Sequence, residues 1–406
     1  MAYVHSPARQ SALGLRPWRC LRASLARRLV VAAASMLWLG VAALPTQAQS
    51  SLNLPPMTLI AAAADPARNT YVLGTFTEAI TVGDKLLVSL GGTDYALVQY
   101  RPDGSVGWAI SLGTAGDEWS EFTTLRVTSN ALYVVGGTIG SLRLTDTAGV
   151  VVNTFHNYGK PAGGPDAFVL KFSLAGVAQW QATITSFSMY DHSIGLMLDA
   201  AGNVYWTGVF HGCCPSSGAS TLRGGDGATL SLTGSSDSYG NAFLAKLSPA
   251  GTPLWAVKAY DRDAWFADAV TDSQGSLYVR GVATATVSGT PTTVVSTDGT
   301  TYSVPHQGGA SAFLLKFNAA GVSQWATTLI GSPEFDSHSS KSCVTAGDEV
   351  VVGGSYNAGP LTFTSTDEAN LQLPAGSGYD GFVAKYGSDG KAKWAVQIAG
   401  TDDQRV

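Results

Sequence analysis

The sequence predicts an all-β chain, a β-propeller of about five four-stranded antiparallel blades. Two regularities and one absence carry that expectation. Five tryptophans, Trp108, Trp180, Trp255, Trp325 and Trp394, stand 72, 75, 70 and 69 residues apart, which is too regular for scattered core residues. Nine positions before each lies Gln99, Lys171, Lys246, Lys316 or Lys385, and four before each lies Gly104, Gly176, Gly251, Gly321 or Gly390. No long stretch carries the helical period, whereas short stretches alternate apolar and polar with period two.

Within a repeat the elements follow in order. The first strand ends in a turn such as Asp199-Ala200-Ala201-Gly202-Asn203 or Asp272-Ser273-Gln274-Gly275-Ser276. Asp65, Asp199 and Asp272 each stand nine residues before the next repeat glycine, which marks them as turn formers. The second strand carries an aromatic-x-x-Gly run at Tyr71 to Gly74, Tyr133 to Gly136, Tyr205 to Gly208 and Tyr278 to Gly281, with Val350 to Gly353 as a worn fifth copy. In the third strand Phe168, Leu170 and Phe172 alternate with Val169 and Lys171, and Phe243, Ala245, Leu247 and Phe313, Leu315, Phe317 repeat the pattern. Ala175-Gly176, Ala250-Gly251 and Asp389-Gly390 then sit where a hairpin needs a positive φ, and the tryptophan strand follows. Such a meander is apolar on both faces and needs neighbours, which radial stacking supplies without long open edges. The repeats are expected at 57–114, 115–187, 188–260, 261–331 and 332–400, together a propeller over 57–400.

The N-terminus has its own signal. Six arginines between Arg9 and Arg28 precede an apolar run from Leu29 to Leu44 and the small-residue site Thr46-Gln47-Ala48, so 1–48 reads as a secretory signal peptide and 49–56 as a short linker. The alternative, an uncleaved anchor helix, needs a longer run of about 20 residues. The expected location is outside the cell or on its surface, and no later segment reads as a membrane span. Removing the leader's six arginines leaves 18 basic against 29 acidic residues, a net charge of −11, which repels nucleic acid. Cys20 leaves with the leader, so Cys213, Cys214 and Cys343 are the disulfide candidates, an odd number that makes no framework. His211, Cys213 and Cys214 resemble a soft metal cluster that lacks a fourth ligand.

The runs Asp199-Ala200-Ala201-Gly202-Asn203-Val204-Tyr205 and Asp166-Ala167-Phe168-Val169-Leu170-Lys171-Phe172 resemble the bacterial β-propeller repeat often called SBBP. Leader apart, the resemblance covers nearly the whole chain. It implies a secreted or surface-located bacterial propeller, a group with many members of unknown function, and in some Bacteroidota relatives a C-terminal sorting domain. No sorting domain is read here. Residues 401–406 read as the start of a further linker or tail, comparable with 113–127, so the natural chain is expected to continue and five blades to be a minimum.

Function is expected where the repeat breaks. The links from second to third strand, roughly 75–93, 137–165, 209–240, 282–310 and 354–379, are long and unequal, and 141–153 and 292–304 alternate like extra hairpins. The blade-to-blade links emerge on the same face and hold Asp117, Glu118, Trp119, Asp191, His192, Asp261, Asp263, Trp265, Asp336 and His338, the binding-face candidates. Acids beside aromatics suit a sugar or a cation, with Ca²⁺ the ion such oxygens would hold, although Asp is also an ordinary turn residue. The partner is expected to be a glycan or a protein, on a scaffold without catalysis. The alternatives are a structural module of a longer surface protein and a carbohydrate-active enzyme. Glu121 and Asp268 enter inner strands without counterparts in other copies, so they are the carboxylate pair to test for the second. No nucleophile elbow, HExxH helix, phosphate-cradling glycine loop or CxxC pair is present, so the non-catalytic reading leads.

Overall fold

A computed structural model describes residues 55–147, 150–157, 165–186, 191–211, 219–234, 240–261, 264–285, 291–304, 309–331, 342–357, 359–376 and 378–400. The first repeat gives strands β1 (Thr58–Ala64), β2 (Thr70–Val82), β3 (Lys85–Tyr100) and β4 (Val106–Gly113). The second gives β5 (Trp119–Val127), β6 (Ala131–Thr138), a hairpin β7 (Leu142–Thr145) and β8 (Val151–Phe155), then β9 (Asp166–Ser173) and β10 (Ala178–Thr185). The third repeats this as β11 (His192–Leu198), β12 (Val204–Phe210), β13 (Ser220–Arg223), β14 (Thr229–Leu232), β15 (Gly240–Leu247) and β16 (Pro253–Asp261). The fourth is β17 (Ala264–Thr271), β18 (Leu277–Ala285), β19 (Thr292–Val295), β20 (Thr301–Val304), β21 (Gly309–Phe317) and β22 (Ser323–Ile330). The fifth is β23 (Ser342–Val344), β24 (Val350–Asn357), β25 (Leu361–Phe363), β26 (Leu371–Leu373), β27 (Tyr379–Tyr386) and β28 (Ala392–Ile398).

These strands form five antiparallel sheets, a propeller-like, all-β arrangement among the described residues. The expected four-stranded blade needs correction. Four of the five sheets have six strands, because the hairpin inside each long link leaves its own repeat and pairs with the outer strand of the sheet before it. Thus β7 lies on β4, β13 on β10, β19 on β16 and β25 on β22. An outer strand would otherwise offer a row of unpaired amides, so the donated hairpin closes the edge. Its inward side chains are core: Leu142, Leu144, Phe155, Leu222, Leu232, Val294, Val304, Leu361 and Phe363 are all buried. Among the described residues, most of the length read as a variable loop face is therefore structural strand.

Sheet stacking uses the repeated residues. In every sheet the tryptophan and the residue nine before it are cross-strand partners, and in the first four sheets a tyrosine extends the row, as in Tyr205, Lys246 and Trp255. The ammonium of Lys171, Lys246 or Lys316 lies 5.5, 5.0 or 4.9 Å from the centre of the tyrosine ring. It also donates to a backbone carbonyl of the next repeat, Pro249 at 2.9 Å, Ala319 at 3.4 Å or Ser388 at 3.1 Å. The indole Nε1–H of Trp180, Trp255 or Trp325 donates to that same carbonyl at 3.0, 3.3 or 3.0 Å. Trp108 and the amide of Gln99 treat Leu174 in the same way. Each of these carbonyls lies two residues before a turn glycine, and the indole rests against that glycine.

Gly251 shows why glycine is required there. Its φ is +85°, and a Cβ would meet the Trp180 indole at 2.6 Å. The first strands β1, β5, β11, β17 and β23 also lie against one another in succession, whereas β23 and β1 have no contact of comparable extent. Among the described residues no helix is long and apolar enough to cross a membrane.

Gly251→Ala is expected to cost about 2–4 kcal/mol, combining left-handed strain with displacement of the indole. Gly227, at φ +82° with nothing within 4 Å of its Cβ position, is the control, and Gly227→Ala should cost only about 1 kcal/mol. Urea unfolding midpoints of the two variants measure the difference, and equal losses would remove the indole from the account.

Candidate functional site

Two places collect polar side chains that the repeat does not use for stacking. The first is a cavity of about 370 Å³ between the inner strands, walled by β5, β11, β17 and Ser342, with Tyr205 and Thr207 behind. Its volume lies within the usual range of small-ligand sites. Arg126 enters from β5 and anchors its Nε–H on the Leu196 carbonyl at 3.2 Å, leaving the guanidinium tip exposed. Asp268 enters from β17, half-buried, and its Oδ2 accepts the Ser342 amide at 2.8 Å. In the sheet register Asp268 stands opposite Arg280, whose side chain is only 1% exposed. Leu196 and Met197 contribute apolar surface. The cavity thus offers one cation, one carboxylate and an apolar wall, each charge held from behind by a backbone group.

Of the carboxylate pair to test for the enzyme alternative, Asp268 lies in this cavity. Glu121 lies on β5, and its side chain is outside the described residues. Its facing cannot be counted from Thr124 and Arg126, because the ladder slips between Trp119 and Thr124.

The second place is the face of the sheet-to-sheet links. Here Asp117 is exposed and accepts the Thr93 amide at 2.7 Å, tying the link to the middle of β3. Glu118 turns inward and is 5% exposed, beside the fully buried Asp94, which accepts the Leu90 amide at 2.7 Å. Burial first, and then the neighbouring Asp94 carboxyl, push the Glu118 carboxyl up to about 9. The next link repeats the arrangement. Asp191 is fully buried, accepts the His211 amide at 2.9 Å, and is raised by burial and by Asp166. Burial raises Asp166 itself to about 6. His192, half-buried, is pushed down to about 4 by burial and by the nearby His211.

Of the remaining binding-face candidates, Trp265 packs against the core between the last two sheets. Trp119 and Asp261 lie on β5 and β16 with side chains outside the described residues. Asp263, Asp336, His338, Cys213 and Cys214 lie outside them altogether, so the expected soft metal cluster is represented only by His211. Cys343 is a free, exposed thiol. Among the described residues no three His, Cys, Asp or Glu side chains come together in a metal-holding group.

Sequence reading missed the inner layer of this face. Five residues before each Gln or Lys of the frame stands Asp94, Asp166, Asn241, Ser311 or Asp380, a polar residue in every copy. In two copies a link acid, Glu118 or Asp191, buries itself against it. The signal lay in the same frame as the tryptophans.

Comparison with known proteins adds little to the fold. No family model matches the chain. An uncharacterized WD repeat-containing protein of Acanthamoeba polyphaga mimivirus is 27% identical over 242 residues, covering 55% of this chain and 17% of that protein. The chain thus spans under a fifth of the length of that relative. Among solved structures, the extracellular domain of a hybrid two-component system from B. thetaiotaomicron overlaps 86% of this chain and 57% of its own at 9% identity, with a TM-score of 0.21, too poor an overlap to assign a fold.

The buried carboxyls give a pH signature. Glu118 holds a proton in the folded chain that the unfolded chain releases near 4.5, so stability falls as pH rises from there towards 9. Glu118→Gln carries no such loss. Its melting temperature should match the parent near pH 4 and exceed it progressively up to pH 9; a constant difference across that window would place Glu118 outside a neutral buried environment.

Proposed function

We propose that the protein is an exported, non-catalytic interaction scaffold, a β-propeller of five blades or more that binds a glycan, protein or matrix partner. The observation that carries this reading is a division of labour among side chains. The recurring tryptophans, lysines, tyrosines and turn glycines are spent on sheets and turns, and the polar residues that break the frame gather in the inner cavity and on the link face. The arginine-rich leader supports export, and the excess of acidic residues argues against a nucleic-acid partner. The SBBP-like runs support a secreted or surface-located bacterial protein. The WD-repeat relative is itself uncharacterized and adds only that a repeat protein resembles this one.

Within the scaffold, Arg126 and Asp268 provide the primary contact. A group with hydroxyls or paired charges can accept from the guanidinium and donate to the carboxylate while an apolar face lies on Leu196 and Met197. The link face, with Asp117 outermost, extends the surface for a larger partner, with Ca²⁺ a candidate bridge for its carboxylates. A second reading has one observation in its favour, the carboxylate of Asp268 inside a ligand-sized cavity. On that reading Asp268 works with Glu121 on a glycosidic bond.

Purified protein is incubated with a panel of polysaccharides and matrix proteins, with and without Ca²⁺, while melting temperature and released reducing ends are followed. Binding without catalysis gives a ligand-dependent rise in melting temperature, no new reducing ends, and loss of the rise in Arg126→Ala and Asp268→Ala. New reducing ends that vanish in the Glu121→Ala/Asp268→Ala double variant would replace the scaffold by the enzyme. A rise that survives both cavity variants would move the contact to another surface.

A further inference from the structure

The repeat gives each residue of the inner cavity its counterparts. On every first strand one residue stands across from the residue two after the tyrosine of the row. In the first four sheets these pairs are Ala61 with Leu73, Thr124 with Val135, Gly195 with Thr207 and Asp268 with Arg280. The second-strand member is buried each time. Two copies fill the place with leucine or valine. The third and fourth, whose first strands wall the cavity, put a hydroxyl and a guanidinium there. Burying such groups costs stability that an aliphatic side chain does not, so packing alone does not account for them.

The cavity also holds polar groups with bonding capacity to spare. Arg126 gives its Nε–H to the Leu196 carbonyl, and among the described residues no carboxylate pairs with its guanidinium. Asp268 spends Oδ2 on the Ser342 amide and keeps Oδ1 without a partner among the described residues. The buried Thr207 hydroxyl has no hydrogen-bond partner there either. A Cβ on Gly195 would stand 2.8 Å from that hydroxyl, so the glycine leaves it uncovered on the cavity side.

Their placement sets the length of a ligand. The Arg126 guanidinium is held on β11, whereas the Asp268 carboxyl is held by the amide of Ser342, at the start of β23. Between them lie Gly195 of β11 and Ala267 of β17, whose carbonyl is 3.6 Å from the Cβ position of Gly195. The two charges are thus separated by more than one strand spacing, at least roughly 5 Å.

Resting on the reading of this cavity as the primary contact, we infer that its ligand is a carboxylated sugar of the uronic-acid type, one or two residues long. The carboxylate lies on the tip of Arg126, which presents paired N–H donors. Ring hydroxyls donate to Asp268 and meet Thr207 over Gly195, and the C–H face of the ring rests on Leu196 and Met197. A neutral sugar would leave the guanidinium unused. An α-amino acid carries its two charges on one carbon, too close together to reach both ends. A phosphate dianion would bring a second charge to a cavity that offers one unpaired cation and an opposing carboxylate. The acidic balance of the chain works against a long polyanion, while a single carboxylate inside the cavity is screened from charges more than about 8 Å away.

Titration calorimetry with glucuronic, galacturonic and mannuronic acids and their disaccharides, each beside its uncharged methyl ester, tests this up to about 10 mM, tenfold above a millimolar dissociation constant. At least one acid should bind, and its ester at least about tenfold more weakly. Arg126→Met keeps the alkyl stem and should bring acid and ester to equal affinity, a ratio that a loosened fold does not change. Thr207→Val restores the apolar residue of other copies and should weaken both alike, and Asp268→Ala should abolish both. Equal affinity of the parent for acid and ester, with both lost in Asp268→Ala, overturns the carboxylate and leaves the cavity as the contact. An acid that binds undiminished in Arg126→Met and Asp268→Ala overturns the inference and the cavity reading together. Silence from every acid overturns the inference, and the panel of polysaccharides and matrix proteins then decides the scaffold by itself.

Discussion

The whole array depends on a carbonyl two residues before a glycine. At four junctions that one oxygen accepts both an indole N–H and a side-chain nitrogen nine residues upstream of the indole. Each hydrogen bond is worth only about 1 kcal/mol. Its importance is positional. A backbone carbonyl in a tight turn cannot swing, so an indole held to it fixes the sheet that carries the indole. The glycine does the complementary work by leaving room for the ring, and tyrosine beneath the lysine keeps a desolvated ammonium in favourable contact with a π face at about 0.5–2 kcal/mol. Lysine is therefore more than a stem packed with its charge in water. It is part of the seam, and the first copy shows the minimum requirement by using the neutral amide of Gln99.

Hairpin donation adds a second bond between neighbours of a different kind. A sheet of four strands would end in an open edge, and a seam of side chains alone would leave that edge exposed to any other strand. Lending two strands forward in space and backward in sequence makes each sheet incomplete without its successor. The hairpin tip and glycine turn of one repeat are also joined, as the Gly225 amide on the Gly251 carbonyl and the Thr252 hydroxyl on Asp226 show. One rigid unit thus grips both the edge and the tryptophan of the sheet before it. Stability should pass between neighbours more than it resides in any single repeat, the behaviour of a quasi-one-dimensional array.

The seam was legible in the sequence because it is periodic: Trp, Lys and Gly hold fixed distances, and period-two alternation placed them on strands. Strand exchange was not legible. Segments 141–153 and 292–304 were read as hairpins correctly, but a hairpin's partner is chosen by which edge lies open in space, and local alternation does not encode that. The inner acids failed for another reason. Glu118 and Asp191 sit in links where Asp and Glu are common for turn formation, so residue type pointed to the surface. Only the polar position five before the Gln or Lys of the frame, at Asp94 and Asp166, tells that a carboxyl can be received inside. The cavity pair was half visible: Asp268 stood out as an acid without counterparts, whereas Arg126 stood out in nothing until the register placed it in the row of Tyr133 and Lys171.

That row also explains how a repeat acquires a site. At the first-strand end of the Tyr-Lys-Trp row stand Ala63, Arg126, Met197, Val270 and Cys343 in the five copies. The position lies beyond the indole and ammonium seam, which therefore does not fix its residue type, and the five copies differ there. Arginine in the second copy can reach into the space between inner strands while the seam behind it stays intact. Asp268 likewise sits one step after a ladder slip at Phe266, where an altered register turns an acid inward without disturbing the strands beside it. Residue type can therefore change at positions next to the clamps while the stacking that the clamps secure is kept.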